Sequence, residues 1–94
     1  MNKDMDNIDY MERMRDWFIE VRRKEGVFNT EWRYRGRAGV YVTTGDIVNT
    51  LKKIINKTYM GCTMEDGDRD TLNLYREFYN RNRGKEFSSL ITTI

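Results

Sequence analysis

Histidine and proline are both absent from the sequence, and cysteine occurs once, at Cys62. Without imidazole the chain cannot build the serine, cysteine or zinc chemistries that use it as base or ligand. One thiol with no histidine beside it is also too few donors for a zinc site. A lone cysteine closes no internal disulfide, which removes any covalent staple and favours a reducing, cytoplasmic setting. Without proline, every tight connection falls to glycine, asparagine, aspartate or threonine. Long apolar runs are missing as well. None approaches the roughly 18 residues of a membrane span, and the opening "MNKDMDNIDY" carries acids where a secretory signal needs cations and then an apolar stretch. A soluble chain without a membrane partner is expected. Phosphate loops of the G-x-x-x-x-G-K type are absent, and no pair of acids stands in an apolar context that would mark a general acid. The expectation is therefore a protein that is not an enzyme and that carries no cofactor and no metal.

What is present is enough to fold. The 94 residues include 38% hydrophobic and 13% aromatic side chains, well above the composition of chains too polar to offset their ordering entropy. A chain of this length buries only about 60 to 65% of its unfolded surface, so residues 1–94 are read as a single small domain with a thin core. The net charge of +2 conceals an uneven distribution. Residues 1–20 hold 3 basic and 6 acidic side chains, residues 21–60 hold 9 and 3, and residues 61–94 hold 5 and 6. Arginine outnumbers lysine, and its planar fork of donors suits phosphate, carboxylate and ring-stacking contacts. The basic middle of the chain is where a contact surface is expected.

The periodicity predicts an α+β fold. From about Asp4 to Glu25, Met11, Met14, Phe18 and Val21 recur at helical spacing, with Tyr10 and Trp17 flanking them, so the first element is an amphipathic helix. Acids at its start, Arg22, Arg23 and Lys24 at its end, and Gly26 in the place of a left-handed cap agree with that direction. Residues 27 to 43 switch to a period of two around "RGRAG", which reads as a β-hairpin. "TTGDIVNTLKKIINK" returns to helical spacing, with Thr43 or Thr44 as cap and Asp46 in the first turn. A third helix is expected from about Asp68 to Asn82, burying Leu72, Tyr75, Phe78 and Tyr79, with Gly84 as its stop. The tail "EFSSLITTI" is open to two readings, a strand beside the hairpin or a frayed terminus.

Four stretches bear on chemistry. In "EWRYRGRAGVYV", alternation along an extended chain sends Trp32 and Tyr34 to one face and Arg33 and Arg35 to the other, with Arg37 at the turn. The rings then belong to the core, and the arginines form either a phosphate-contacting wing or a solvated strand face. "GRAG" fits the G-x-x-G spacing of KH domains, but there the loop joins two helices, whereas strand-like residues flank it here. "YVTTGDIVNTL" resembles the opening of the helix-turn-helix in MerR-type regulators and excisionases. The resemblance covers about eleven residues, "KKIINK" then continues the helix where that family turns, and no family is assigned. Taken as a calcium loop, Asp66, Asp68, Asp70 and Glu77 occupy four ligand positions. Thr71 stands where the turning glycine belongs, however, and the helical spacing of residues 72 to 79 holds Glu77 away from the others.

Two functional expectations follow. The first is a small nucleic-acid-binding regulatory or accessory protein in which Arg33, Arg35 and Arg37, with Lys52, Lys53 and Lys57 of the second helix, contact phosphates. The alternative is a protein-binding modulator, such as a phage or mobile-element type inhibitor of a host enzyme, docking through Met11, Met14 and Trp17. A homodimer using the same stripe is the remaining arrangement.

Overall fold

In a computed structural model of the chain, which describes residues 3–29, 31, 33–35 and 40–86, three helices and a two-stranded hairpin follow one another in the predicted order. The fold is α+β. Helix α1 runs Lys3–Phe28. Strands β1, Arg33–Arg35, and β2, Tyr41–Thr43, pair antiparallel. Helix α2 runs Thr44–Tyr59 and α3 runs Asp66–Asn82. Trp32, residues 36–39 with Arg37 among them, and the tail from 87 onward lie outside the described residues, and with the tail the expected C-terminal strand.

Helix α1 sets the long dimension. Its 26 residues at a rise of 1.5 Å extend about 39 Å, and the longest axis of the molecule is 39 Å. The helix continues past Gly26, where the sequence suggested its end. The left-handed residue is instead Asn29, at φ 52°, and its N–H donates to the Gly26 carbonyl at 3.3 Å. Asparagine tolerates this conformation nearly as glycine does, so the stop moves three residues onward. The last turn of α1 consequently holds no basic residue, and Arg22 to Lys24 lie one turn further back.

Helix α2 begins on a reciprocal cap. The Thr43 hydroxyl accepts from the Asp46 N–H at 3.2 Å, while the Asp46 carboxylate accepts from the Thr43 N–H at 3.0 Å. These bonds hold the Asp46 carboxyl below its ordinary range, because they favour the charged form. Helix α3 starts two residues before the expected Asp68, with Asp66 and Asp68 in its first turn, and ends at Asn82, capped by Arg83 and followed by Gly84 at φ 84°.

Two contacts orient α1 and α2. Tyr59, at the end of α2, donates to Glu12 near the start of α1 at 2.8 Å. At the other end, Thr44 donates to Glu25, so the two helices lie antiparallel. Helix α3 reaches both. Asp68 pairs with Lys57 of α2 at 3.6 Å, and Asn80 accepts from Tyr10 of α1 at 2.7 Å. Among them lies a core of Met11, Met14, Phe18, Ile47, Val48, Leu51, Ile54, Ile55, Leu72, Tyr75 and Phe78. Phe78 stacks on Phe18 with centroids 5.8 Å apart and meets the Tyr34 ring edge-on at 4.8 Å. Aromatic pairs in these geometries add about 0.5 to 1.5 kcal/mol beyond the area they bury.

The hairpin docks through one ring. Tyr34 is fully buried, and its register partner Val42 packs on the same core. The Tyr34 hydroxyl lies 2.8 Å from the Thr44 hydroxyl, which in turn donates to the buried Glu25 carboxylate. Because threonine has a single hydroxyl proton and gives it to Glu25, Tyr34 is the donor in the other bond. One chain of hydrogen bonds thus ties β1, α2 and the end of α1.

Candidate functional site

The pleat of the hairpin decides which side chains face outward. With Tyr34 and Val42 turned to the core, the alternate residues Arg33 and Arg35 on β1 and Tyr41 and Thr43 on β2 take the opposite face. Arg33 stands across from Thr43, and Arg35 across from Tyr41. Both arginines are exposed, as is Tyr41 at 62%. Residues two apart on a strand are separated by about 6.6 Å, so the two guanidinium groups form a short row with a phenol ring beside it. Arg33 approaches Glu31 at 3.7 Å with both side chains well exposed. Such a pair is worth at most about 1 kcal/mol and yields readily to a competing anion. Arg35 has no ion-pair partner among the described residues.

A third guanidinium lies at the start of α2, which follows β2 directly. Arg22 of α1 lies against the first turn of α2, where a Cβ added at Gly45 would come within 3.3 Å of its central carbon. Gly45 follows Thr43 by two residues, so Arg22 borders the hairpin at the Arg33 end. Neither Arg22 nor Tyr41 was singled out from the sequence. The signal for Tyr41 was present in the register, since any outward arginine on β1 requires an outward partner on β2. Arg22 carried no comparable signal, because only the docking of α1 on α2 brings it there.

The expected basic residues do not all assemble. Lys52 and Lys53 lie about 12 Å or more along the α2 axis from Thr44, and Lys57 about 20 Å. A turn of 100° per residue further divides them, with Lys52 on the flank that carries Tyr59 toward α1 and Lys53 and Lys57 on the flank that faces α3. Lys57 is engaged with Asp68. The hairpin face is therefore separate from the lysines of α2.

The expected docking stripe requires correction. Met11 and Met14 have no exposed surface and belong to the core, so an intact fold offers neither to a partner. Trp17 is half-buried, edge-on to Phe18 at 5.0 Å, Phe78 at 6.0 Å and Tyr79 at 5.6 Å. The helical stripe that suggested a contact surface is the side of α1 that closes the core. Exposed apolar side chains occur elsewhere, among them Tyr59 at 63% and Met60 at 71% at the end of α2.

Charge is divided between the ends only in part. The antiparallel course of α1 and α2 brings Asp9, Glu12 and Asp16 to the same end as the α3 start, Glu65 to Asp70. It also brings Arg22, Arg23 and Lys24 to the end that carries the hairpin. Arg13 pairs with Asp9 at 2.9 Å, and Arg15 with Asp16 at 3.0 Å. At the hairpin end Arg23 is held by Glu20, whose carboxyl is lowered by that hydrogen bond. Arg22 and Arg35 form no ion pair among the described residues. The charge difference between residues 1–20 and 21–60 does not become a clean division by end, because Lys52, Lys53 and Lys57 lie on the half of α2 that reaches Glu12 of α1.

Asp66, Asp68 and Asp70 lie in the first turns of α3 and Glu77 further along the same helix. Their positions are explained by the helix dipole and by Lys57. No helix among the described residues is long and apolar enough to cross a membrane. Comparison with known proteins gives no family model, no curated relative and no solved structure that matches the chain.

Proposed function

We propose that the protein is a small non-enzymatic nucleic-acid-binding regulatory or accessory protein that contacts phosphates through the outer face of its hairpin. The observation that supports this most directly is the pair Arg33 and Arg35, side by side on an exposed strand face, with Arg35 unpaired among the described residues and Arg22 at the border. Phosphate contacts from arginine release counterions and give affinity without reading sequence. Lys52 and Lys53 are a secondary contact at most, because they lie on another element.

The test is fluorescence anisotropy of the wild type and of the double change Arg33→Ala and Arg35→Ala against labelled nucleic acids over a range of salt. Both side chains are exposed, so the fold is expected to survive. Binding should weaken alike for all sequences, and the slope of log affinity against log salt should become shallower by about two. Equal affinity and equal slope in the two proteins would remove the hairpin from this role.

A second reading, a modulator or inhibitor docking on a host protein, is favoured by Tyr59 and Met60, two exposed apolar neighbours of types enriched in contact surfaces. The same assay separates the two, since a protein-docking surface at the end of α2 predicts no salt-dependent binding to nucleic acid.

A further inference from the structure

The hairpin face also carries information about which kind of nucleic acid it suits. Arg33 and Arg35 lie on β1 while Tyr41 lies on β2, directly across from Arg35 in the antiparallel register. Side chains directly opposite on one face have Cβ atoms about 5 Å apart. A guanidinium and a phenol ring therefore stand within reach of one nucleotide, one for its phosphate and the other for its base. Tyr41 is 62% exposed, and its neighbour Val40 is 61% exposed. Within the hairpin, Tyr34 is fully buried and Tyr41 is left in water.

From this juxtaposition we infer that the hairpin face takes single-stranded nucleic acid, with a base stacked on the Tyr41 ring and its flanking phosphates on Arg33 and Arg35. This rests on the reading of the hairpin as a phosphate-contacting surface and adds the state of the strand. A duplex turns its bases inward, so against it Tyr41 would meet only sugar and phosphate, and the ring would add little. An unpaired strand offers a π-face at every base, and stacking on an exposed ring tolerates any sequence. Charge complementarity selects a polyanion, and the ring selects one with accessible bases.

The experiment compares three labelled probes of equal length at one salt concentration: a single-stranded oligonucleotide, its duplex, and the same strand made abasic. The proteins are wild type, Tyr41→Ala and Tyr41→Phe. The expected result is tighter binding to the single strand than to the duplex or the abasic strand. Tyr41→Ala should lower single-strand affinity roughly 5- to 100-fold and leave the other two probes nearly unchanged. Tyr41→Phe should keep the wild-type pattern, which shows that the ring and not the hydroxyl acts. Equal binding of all three probes, with Tyr41→Ala without effect, would overturn this inference while leaving the phosphate-contacting reading intact. Failure of every probe to bind at low salt would overturn both.

Discussion

Thr44 satisfies two buried partners with one hydroxyl, accepting from Tyr34 and donating to Glu25. Replacing it with valine keeps the shape and removes both bonds, leaving a buried phenol without its acceptor and a buried carboxylate short of a donor. Unmet buried groups cost about 1 to 3 kcal/mol each, more when charged. Thr44→Val is therefore expected to lower stability by about 2 to 4 kcal/mol, read as the shift of a urea unfolding midpoint. A loss under about 0.5 kcal/mol, the level of an ordinary surface change, would mean that the chain of bonds does not hold the hairpin.

Tyr34 gives the same region a pH signature. Burial pushes its hydroxyl up to about 12, with the Glu25 carboxylate a smaller contribution in the same direction. The unfolded chain ionises near pH 10. Between pH 10 and 12 the unfolded state sheds a proton that the folded state keeps, so stability is complete below pH 10 and falls as pH rises through that window. The slope from this group is at most about 1.4 kcal/mol per pH unit. Tyr34→Phe should be about 1 kcal/mol less stable at neutral pH, and the gap should narrow as pH climbs. Urea titrations from about pH 8 to 11.5 test this; a gap that stays constant would show that Tyr34 ionises as freely in the folded protein. Tyr75, also raised by burial, contributes in both proteins alike.

At the scale of elements, α2 was almost fully legible in the sequence. Its apolar spacing, the threonine before it and Asp46 three residues on all point to one start, and the capping bonds follow from those residue types. Thr43→Ala should cost about 1 kcal/mol. Gly45→Ala is expected to add about 0.5 kcal/mol of stability through helix propensity, because the Cβ meets only the flexible end of an exposed arginine. Thermal unfolding of both variants measures the pair, and a destabilised Gly45→Ala would mean that Arg22 cannot move aside. The end of α1 was less legible. Glycine and asparagine both accept a left-handed backbone, and nothing in the local pattern of residue types separates Gly26 from Asn29 as the stop. The outward alternation of Arg33 and Arg35 was legible from the strand period, and so was the inward turn of Tyr34. The burial of Met11 and Met14 was not separable from exposure, since a helix stripe looks the same whether it closes a core or meets a partner.

For the molecule as a whole, stability is concentrated in a few rings. Phe78 touches Phe18 of α1, Tyr34 of β1 and Trp17, and is fully buried. Truncating a buried phenylalanine costs about 3 to 5 kcal/mol, a large share of the roughly 5 to 10 kcal/mol available to a domain of this size. Phe78→Ala is therefore expected to unfold at much lower urea with helix content and tertiary signals lost together. Separate transitions would show that the hairpin and the helices are independent units. The uneven charge was visible in the sequence only as a list of counts. Which charges meet depends on the antiparallel turn between α1 and α2, which sets the end of α2 beside Glu12.

On the proposed reading, the single hairpin face determines how many strands one molecule can hold. That face accepts one polyanion, while the lysines toward the far end of α2 stand among Glu12 and Asp68, whose charges oppose a second. Such a protein coats a strand without bridging it to another. Its mixtures with long single strands should saturate as clear solutions under light scattering, where a protein basic at both ends would crosslink them into turbid aggregates.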